Sequence, residues 1–166
     1  RHTKVTIDPW GWLNYHETIT LRNIGPTKEL IFSFKIPEGS TTIKIYDKVG
    51  VLSKSQPGGT WYTNETVTLQ IDLRSDRFGE DALWPDYQYR FNIDYTIELT
   101  TYQNSVASGM KLNLPVGTLG EVLIQEHVFD LVLPYSVATV EASDGYRLLY
   151  GVFDNTLRYT VYNTTN

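Results

Sequence analysis

The sequence predicts an all-β fold, an antiparallel β-sandwich of roughly ten strands. Three observations predict it. Apolar and polar residues alternate with period two through most of the chain. Tyr and Thr are abundant, with 12 Tyr among 166 residues, and Ala is scarce, a usage that suits strands over helices. Gly, Pro and Asn punctuate the alternating runs at short intervals.

The elements follow in chain order. From Leu13 to Leu21 the odd positions are mostly apolar and the even ones polar, which makes a half-buried strand. It stops at the turn signal Asn23-Ile24-Gly25-Pro26. Strands are expected over Leu30–Ile36 and Thr42–Leu52, then a loop over Ser53–Gly59. Glu65–Leu73 alternates through Val67, Leu69, Ile71 and Leu73, and Arg74–Asp86 is a charged loop with at most a turn of helix at Gly79–Leu83. Tyr87–Thr101 carries Tyr87, Tyr89, Phe91, Ile93, Tyr95, Ile97 and Leu99 on one face. Its other face is Gln88, Arg90, Asn92, Asp94, Thr96 and Glu98, so one side is buried and the other wet, as in an antiparallel sheet. Further strands are expected at Val122–Leu133, Val137–Ala142, Tyr146–Phe153 and Leu157–Tyr162. No low-complexity linker divides the chain, so residues 1–166 read as one domain.

One pattern repeats. Phe32–Pro37 is followed by Ile43 and Ile45, and Val128–Pro134 by Val140 and Ala142, with Leu112-Asn113-Leu114-Pro115 as a weaker copy. Pro donates nothing to a ladder and ends a strand well, so the common reading is an ordinary strand–Pro–turn–strand connection. A duplicated half-sandwich is the alternative.

Composition excludes several functions. The formal charge is -5, and no basic run exceeds two residues, which argues against nucleic acid. No stretch approaches the roughly 18 apolar residues of a membrane span. Cysteine is absent, which removes disulfides, thiolate metal sites and cysteine nucleophiles. Arg1 opens on strand-like sequence, so any targeting segment is expected to lie outside this chain.

Catalytic signatures are missing. Ser108 and Ser143 each have Gly on only one side, so neither forms a nucleophile elbow. His16-Glu17 begins a zinc motif, but Thr20 stands where the second His belongs. His2 is expected to fray with the terminus, and His16 falls on a polar strand face. His127 neighbours Glu126 and Asp130, which makes an acid–base or metal role conceivable; a surface His is the commoner outcome. Asp76, Glu80, Asp81 and Asp86 offer hard oxygen ligands for calcium without EF-hand spacing, and Arg74 and Arg77 already stand as charge partners. No cofactor is expected. Trp84-Pro85 suggests a loop folded back on the sheet. Trp10, Trp12, Trp61 and Trp84 lie in or near loops, where a planar ring suits the apolar face of a sugar; edge packing is the commoner use. The sequons at Asn64 and Asn163 lean the location toward an extracytoplasmic compartment.

A set of collinear segments resembles a known family. Val5-Thr6-Ile7-Asp8-Pro9-Trp10-Gly11-Trp12-Leu13, then Glu17 and Leu21-Arg22-Asn23-Ile24-Gly25, is similar to the opening of the membrane-proximal luminal domain in the ribophorin I family. Phe34-Lys35-Ile36-Pro37 leading to Ile45–Val51 resembles its strand–Pro–strand segment. Val67–Leu73, Phe78-Gly79, Trp84 and Tyr89–Tyr95 follow in the family's order. Glu126-His127-Val128-Phe129-Asp130, Leu133-Pro134 and the closing Leu157–Asn163 resemble its later elements. The span from Tyr150 to Leu157 is shorter than in the family, and Tyr102–Gly120 departs from it.

The resemblance implies a non-catalytic accessory subunit of an oligosaccharyltransferase in protein N-glycosylation, and no enzyme activity. It implies a β-sandwich ectodomain on the extracytoplasmic face of a membrane, in the ER lumen or at an archaeal cell surface, anchored by a segment outside this chain. Its partners would be a membrane-embedded glycosyltransferase subunit, a nascent polypeptide or a glycan. The expected interaction surface is Arg90, Asn92, Asp94 and Glu98 with Trp61 and Trp84. Two other readings suit the composition: an extracellular structural or adhesion module of a surface layer or filament, and a carbohydrate-binding module.

Overall fold

In the computed structural model, residues 1–29, 31–52, 66–72, 83–106, 109–114, 123–134, 147–150 and 155–165 are described. The fold over these residues is all-β, with one short 3₁₀ turn at Leu99–Thr101. Eleven strands are present: β1 (His2–Ile7), β2 (Trp12–Arg22), β3 (Ile31–Pro37), β4 (Thr41–Tyr46), β5 (Thr66–Asp72), β6 (Gln88–Glu98), β7 (Gln103–Val106), β8 (Gly109–Leu112), β9 (Leu123–Leu133), β10 (Arg147–Tyr150) and β11 (Asn155–Thr165). Seven join one sheet in the order β10-β11-β9-β1-β2-β6-β4. β3 pairs with β5, and β7 with β8, as separate two-stranded ribbons.

The large sheet corrects the antiparallel expectation. β1 and β9 run parallel, with Lys4 beside Asp130 and Val5 beside Leu131. More than a hundred residues separate these strands, so no hairpin imposes antiparallel pairing, and either direction satisfies the ladder. The other pairs in the sheet are antiparallel, led by β2 and β6, which stay in register from Trp12–Glu98 to Arg22–Gln88.

Alternation then sorts side chains by face. Val5, Leu13, Tyr15, Ile19, Ile45, Phe91, Ile93, Tyr95 and Ile97 point inward and are almost fully buried. Phe32, Phe34 and Ile36 of β3, with Leu69 and Ile71 of β5, belong to the same core cluster. Phe32 meets Phe91 edge-on at 5.9 Å between centroids, so the ribbon lies over the inner face of β6. Each such large apolar side chain contributes about 1.5–3 kcal/mol on burial.

The element ends differ in instructive ways from the sequence expectation. The strand expected over Thr42–Leu52 is cut at Asp47, whose Oδ1 accepts the amides of Val49 at 2.8 Å and Gly50 at 3.0 Å. That turn sends Leu52 back to donate to the Ile45 carbonyl at 2.8 Å. The strand expected over Tyr87–Thr101 ends at Glu98, where the 3₁₀ turn begins. His2 does not fray. It pairs with both Thr18 and Val128 inside β1, because the strand is flanked on both sides. The first copy of the repeated pattern puts β3 in the small ribbon, while β9 of the second copy lies in the large sheet. Val137–Ala142, the loop at Ser53–Gly59 and the helical turn expected at Gly79–Leu83, Leu83 itself excepted, lie outside the described residues.

Candidate functional site

The outer face of the large sheet carries the polar half of β1, β2 and β6. β1 contributes His2, Lys4 and Thr6; β2 contributes Trp12, Asn14, His16 and Thr18; β6 contributes Arg90, Asn92, Asp94, Thr96 and Glu98. Strand register lines one side chain from each of six strands into a single row: Arg158, Asp130, Lys4, His16, Asp94 and Lys44. Each carboxylate in that row stands between two basic side chains, Asp130 between Arg158 and Lys4 and Asp94 between His16 and Lys44.

The contacts along the row are short. Arg158 grips Asp130 with Nε on Oδ1 and Nη2 on Oδ2, both at 2.6 Å. His2 Nε2 lies 2.9 Å from Asp130 Oδ2. Burial works against the Asp130 carboxylate, but the hydrogen bonds from Arg158 and His2 outweigh it and hold its pKa below the usual range. His16 Nδ1 lies 2.6 Å from Asp94 Oδ1. The Lys44 ammonium stands over the Tyr46 ring at 5.0 Å. Thr18 donates to Asn92 Oδ1 at 2.9 Å, and the hydroxyls of Thr41 and Thr42 both reach that of Thr96, at 2.9 and 2.8 Å.

An open depression of about 310 Å³ lies on this face, between Lys4, Thr6, Asn14, His16, Asp94 and Thr96. Thr42 forms its rim with φ at +51°, a left-handed conformation that a β-branched residue rarely adopts. The ladder between β4 and β6 shifts register between Thr41 and Lys44, and this irregularity is what turns Thr42 toward Thr96.

Of the residues singled out from sequence, Arg90, Asn92, Asp94 and Glu98 do share this face. Trp84 does not. It stands half-exposed at 46% in the loop before β6, with the Lys28 ammonium 3.8 Å above its ring. The loop does fold back, but through Leu83, which is buried in the core, and not through the Trp84 ring, which stays half-exposed. Trp10 is 86% exposed at the β1–β2 turn, and Trp12 opens β2 at 39% exposed. The side chain of Asp8 shapes that turn, accepting the amides of Trp10 and Trp12 at 2.9 and 3.0 Å. Trp61, Asn64, Asp76, Glu80 and Asp81 lie outside the described residues, and Asn163 lies within β11. Asp86 pairs with Arg22 at 3.1 Å.

The conceivable acid–base set around His127 does not assemble. His127 faces inward and meets Thr3 Oγ1 at 3.0 Å, while Asp130 faces outward to His2 and Arg158. Burial, and then the charge of Arg1, lower the His127 pKa to about 3, so the ring is neutral near pH 7. Among the described residues no three His, Asp or Glu side chains are grouped to hold a metal ion.

A second polar constellation escaped sequence reasoning. Glu17 points inward and is 2% exposed, paired with an Arg1 side chain that is 3% exposed. Glu17 Oε2 accepts from Arg1 Nη2 at 2.6 Å and Nε at 2.9 Å, and Oε1 accepts from the Tyr95 hydroxyl at 2.6 Å. Tyr15 stacks on Tyr95 with centroids 4.7 Å apart. Burial, reinforced by Glu17, pushes the Tyr95 pKa well up, so its hydroxyl keeps the proton it donates. The signal was present: Glu17 is the one carboxylate at an odd, inward position of β2.

No protein-family model matches the chain, and no curated protein matches it significantly. Among the described residues no helix is long and apolar enough to cross a membrane.

Proposed function

We propose that this chain is a non-catalytic interaction domain, an accessory domain of a membrane-bound glycosyltransferase complex that works through its outer sheet face. The observation that carries the reading is the row Arg158–Asp130–Lys4–His16–Asp94–Lys44, set by strand register across six strands. A surface whose two carboxylates are each flanked by basic side chains suits recognition, because it rejects partners whose charges are out of phase. The resemblance to the ribophorin I family points the same way, toward a surface-presenting subunit of an oligosaccharyltransferase outside the cytoplasm. In this reading a segment outside the chain supplies the anchor, and Asn64 and Asn163 are acceptors for glycans. The architecture belonging to it is a β-sandwich, with β3 and β5 in the second layer; the edge contact of Phe32 on Phe91 supports that layering.

The test is co-purification. The full-length gene, tagged and extracted in gentle detergent, is expected to bring down a membrane-embedded glycosyltransferase. Lys44→Gln and Arg90→Glu, both on the exposed face, are expected to break that association while moving the thermal unfolding midpoint by no more than about 2 °C. Recovery of the protein alone refutes the reading.

A further inference from the structure

We propose that the depression on the outer face is a saccharide-binding site. Trp12 is its ring platform, and Lys4, Asn14, Asp94 and Thr96 are its hydroxyl partners. The inference rests on the outer face being the working face, and it names the ligand of that face.

A pyranose has two needs. Its C–H face wants a flat apolar surface, and its ring hydroxyls want donors and acceptors at the edge of that surface. Both are here. Trp12 is two residues before Asn14 on β2, so strand alternation puts them on the same face. Trp12 does not line the depression itself; its indole, 39% exposed, stands on the same face one same-face pair beyond Asn14 and Thr96, where a sugar extending out of the depression would meet it. The lining supplies an ammonium donor in Lys4, an amide in Asn14 that donates and accepts, a carboxylate acceptor in Asp94 and a hydroxyl in Thr96. Among the described residues, Lys4 and Thr6 show no side-chain hydrogen bond. The volume of about 310 Å³ falls at the lower end of small-ligand sites.

Two of the partners are already held in place. Asp94 is fixed by His16 at 2.6 Å, and Thr96 by Thr41 and Thr42. The amide of Trp12 is fastened to Asp8 Oδ1 at 3.0 Å. Groups fixed before the ligand arrives lose less entropy on binding. The left-handed Thr42 at the rim is backbone strain of the kind that collects at binding sites. Charge selects the ligand class. Lys4 of β1 and Asp94 of β6 line opposite sides of the depression, so a polyanion drawn to Lys4 meets a carboxylate across from it, whereas a neutral, hydroxyl-rich ring meets none of that repulsion.

The test is a titration of the isotope-labelled chain with neutral gluco-, manno- and N-acetylglucosamine trisaccharides, followed by NMR and by Trp emission. Inorganic phosphate serves as the charge probe. At least one trisaccharide is expected to shift the resonances of Asn14, Asp94 and Thr96. Trp12→Ala and Asp94→Asn are each expected to weaken it about tenfold, the loss of one good contact. Trp12→Phe should retain most of the affinity. Trp84→Ala, beyond the opposite end of β6, should leave it unchanged. No shift with any trisaccharide at millimolar concentration overturns the proposal, as does binding that survives Trp12→Ala, or phosphate shifting the same residues more strongly than the sugars. Saccharide failure with intact co-purification removes this site and leaves the accessory reading standing. Saccharide binding without co-purification does the reverse.

Discussion

Glu17→Ala is expected to destabilise the fold by about 3–5 kcal/mol, the range for stranding one partner of a buried ion pair. The structure sets the terms. Three hydrogen bonds end on the Glu17 carboxylate: two from the Arg1 guanidinium and one from the Tyr95 hydroxyl. Hydrogen bonds to a charged group are worth about 1.5–3 kcal/mol each, which sums to more than the predicted loss. The estimate is lower because Arg1 lies just outside the β1 ladder, and its long side chain can turn toward water once released. The assay is urea unfolding followed by far-UV ellipticity and Trp emission. For a domain of this size the loss corresponds to a fall in midpoint temperature of about 10 °C. The double variant Arg1→Met with Glu17→Leu removes both charges and fills the volume. It is expected to fall within about 1 kcal/mol of the parent, or to exceed it. Two results refute the reasoning: a Glu17→Ala cost under about 1 kcal/mol, or a double variant that loses as much as the two singles combined.

Three further outcomes follow from other contacts. Burial holds His127 near pKa 3, while the unfolded chain takes up that proton near pH 6.5, so stability falls as pH drops through this window. The fall is about 2 kcal/mol between pH 6 and 4, and His127→Gln should flatten it; parallel unfolding curves for parent and variant would contradict this. Asn23→Ala removes the side-chain partner of the Thr27 carbonyl and the Gly25 amide, and leaves the Leu83 carbonyl with the Glu29 amide alone; all three groups lie within 2.9 Å of the Asn23 side chain. It is expected to cost about 2–4 kcal/mol and to speed amide exchange at Gly25 and Asp86. Gly11→Ala meets open space but φ at +87°, so its cost is conformational alone, about 1–2 kcal/mol by thermal unfolding.

How much of this was legible follows the reach of each signal. Period two is local, and it placed Phe91, Ile93, Tyr95 and Ile97 inward and Arg90, Asn92, Asp94 and Glu98 outward, as found. Local turn chemistry was partly misread. Asp47 and Gly50 end β4 by side-chain capping of a turn, and the apolar Val49 and Val51 around them mimicked continued alternation. The parallel β1–β9 pair and the cross-sheet row were out of reach, since both depend on which strands become neighbours. Trp84 misled because hydrophobicity favours burial of its ring, whereas a cation over that ring stabilises it in a half-exposed position. Glu17 was visible as an exception in β2, but its partners are supplied by β6 and by the first residue of the chain.

The buried polar groups explain how a chain without cysteine fixes the register its outer face depends on. Apolar burial is non-directional. A slip of β2 against β6 by two residues would keep every inward side chain inward, so apolar contact alone discriminates weakly against it. The slip that sets Glu17 opposite Phe91 would part Glu17 from Tyr95 inside and His16 from Asp94 outside. The interior contact is the more expensive to break, because a carboxylate left buried without its donors has no water to replace them. Asp130 acts similarly on β9, tied to His2 of β1 and Arg158 of β11. Asp47 fastens the turn after β4 to the Tyr89 hydroxyl of β6 at 2.9 Å. Interior polarity therefore sets surface pattern. The apolar Arg1→Met, Glu17→Leu double variant separates the two effects: it should keep the stability of the parent while the resonances of His16 and Asp94 split or broaden. Sharp, unshifted resonances there would show that the outer row holds its own register.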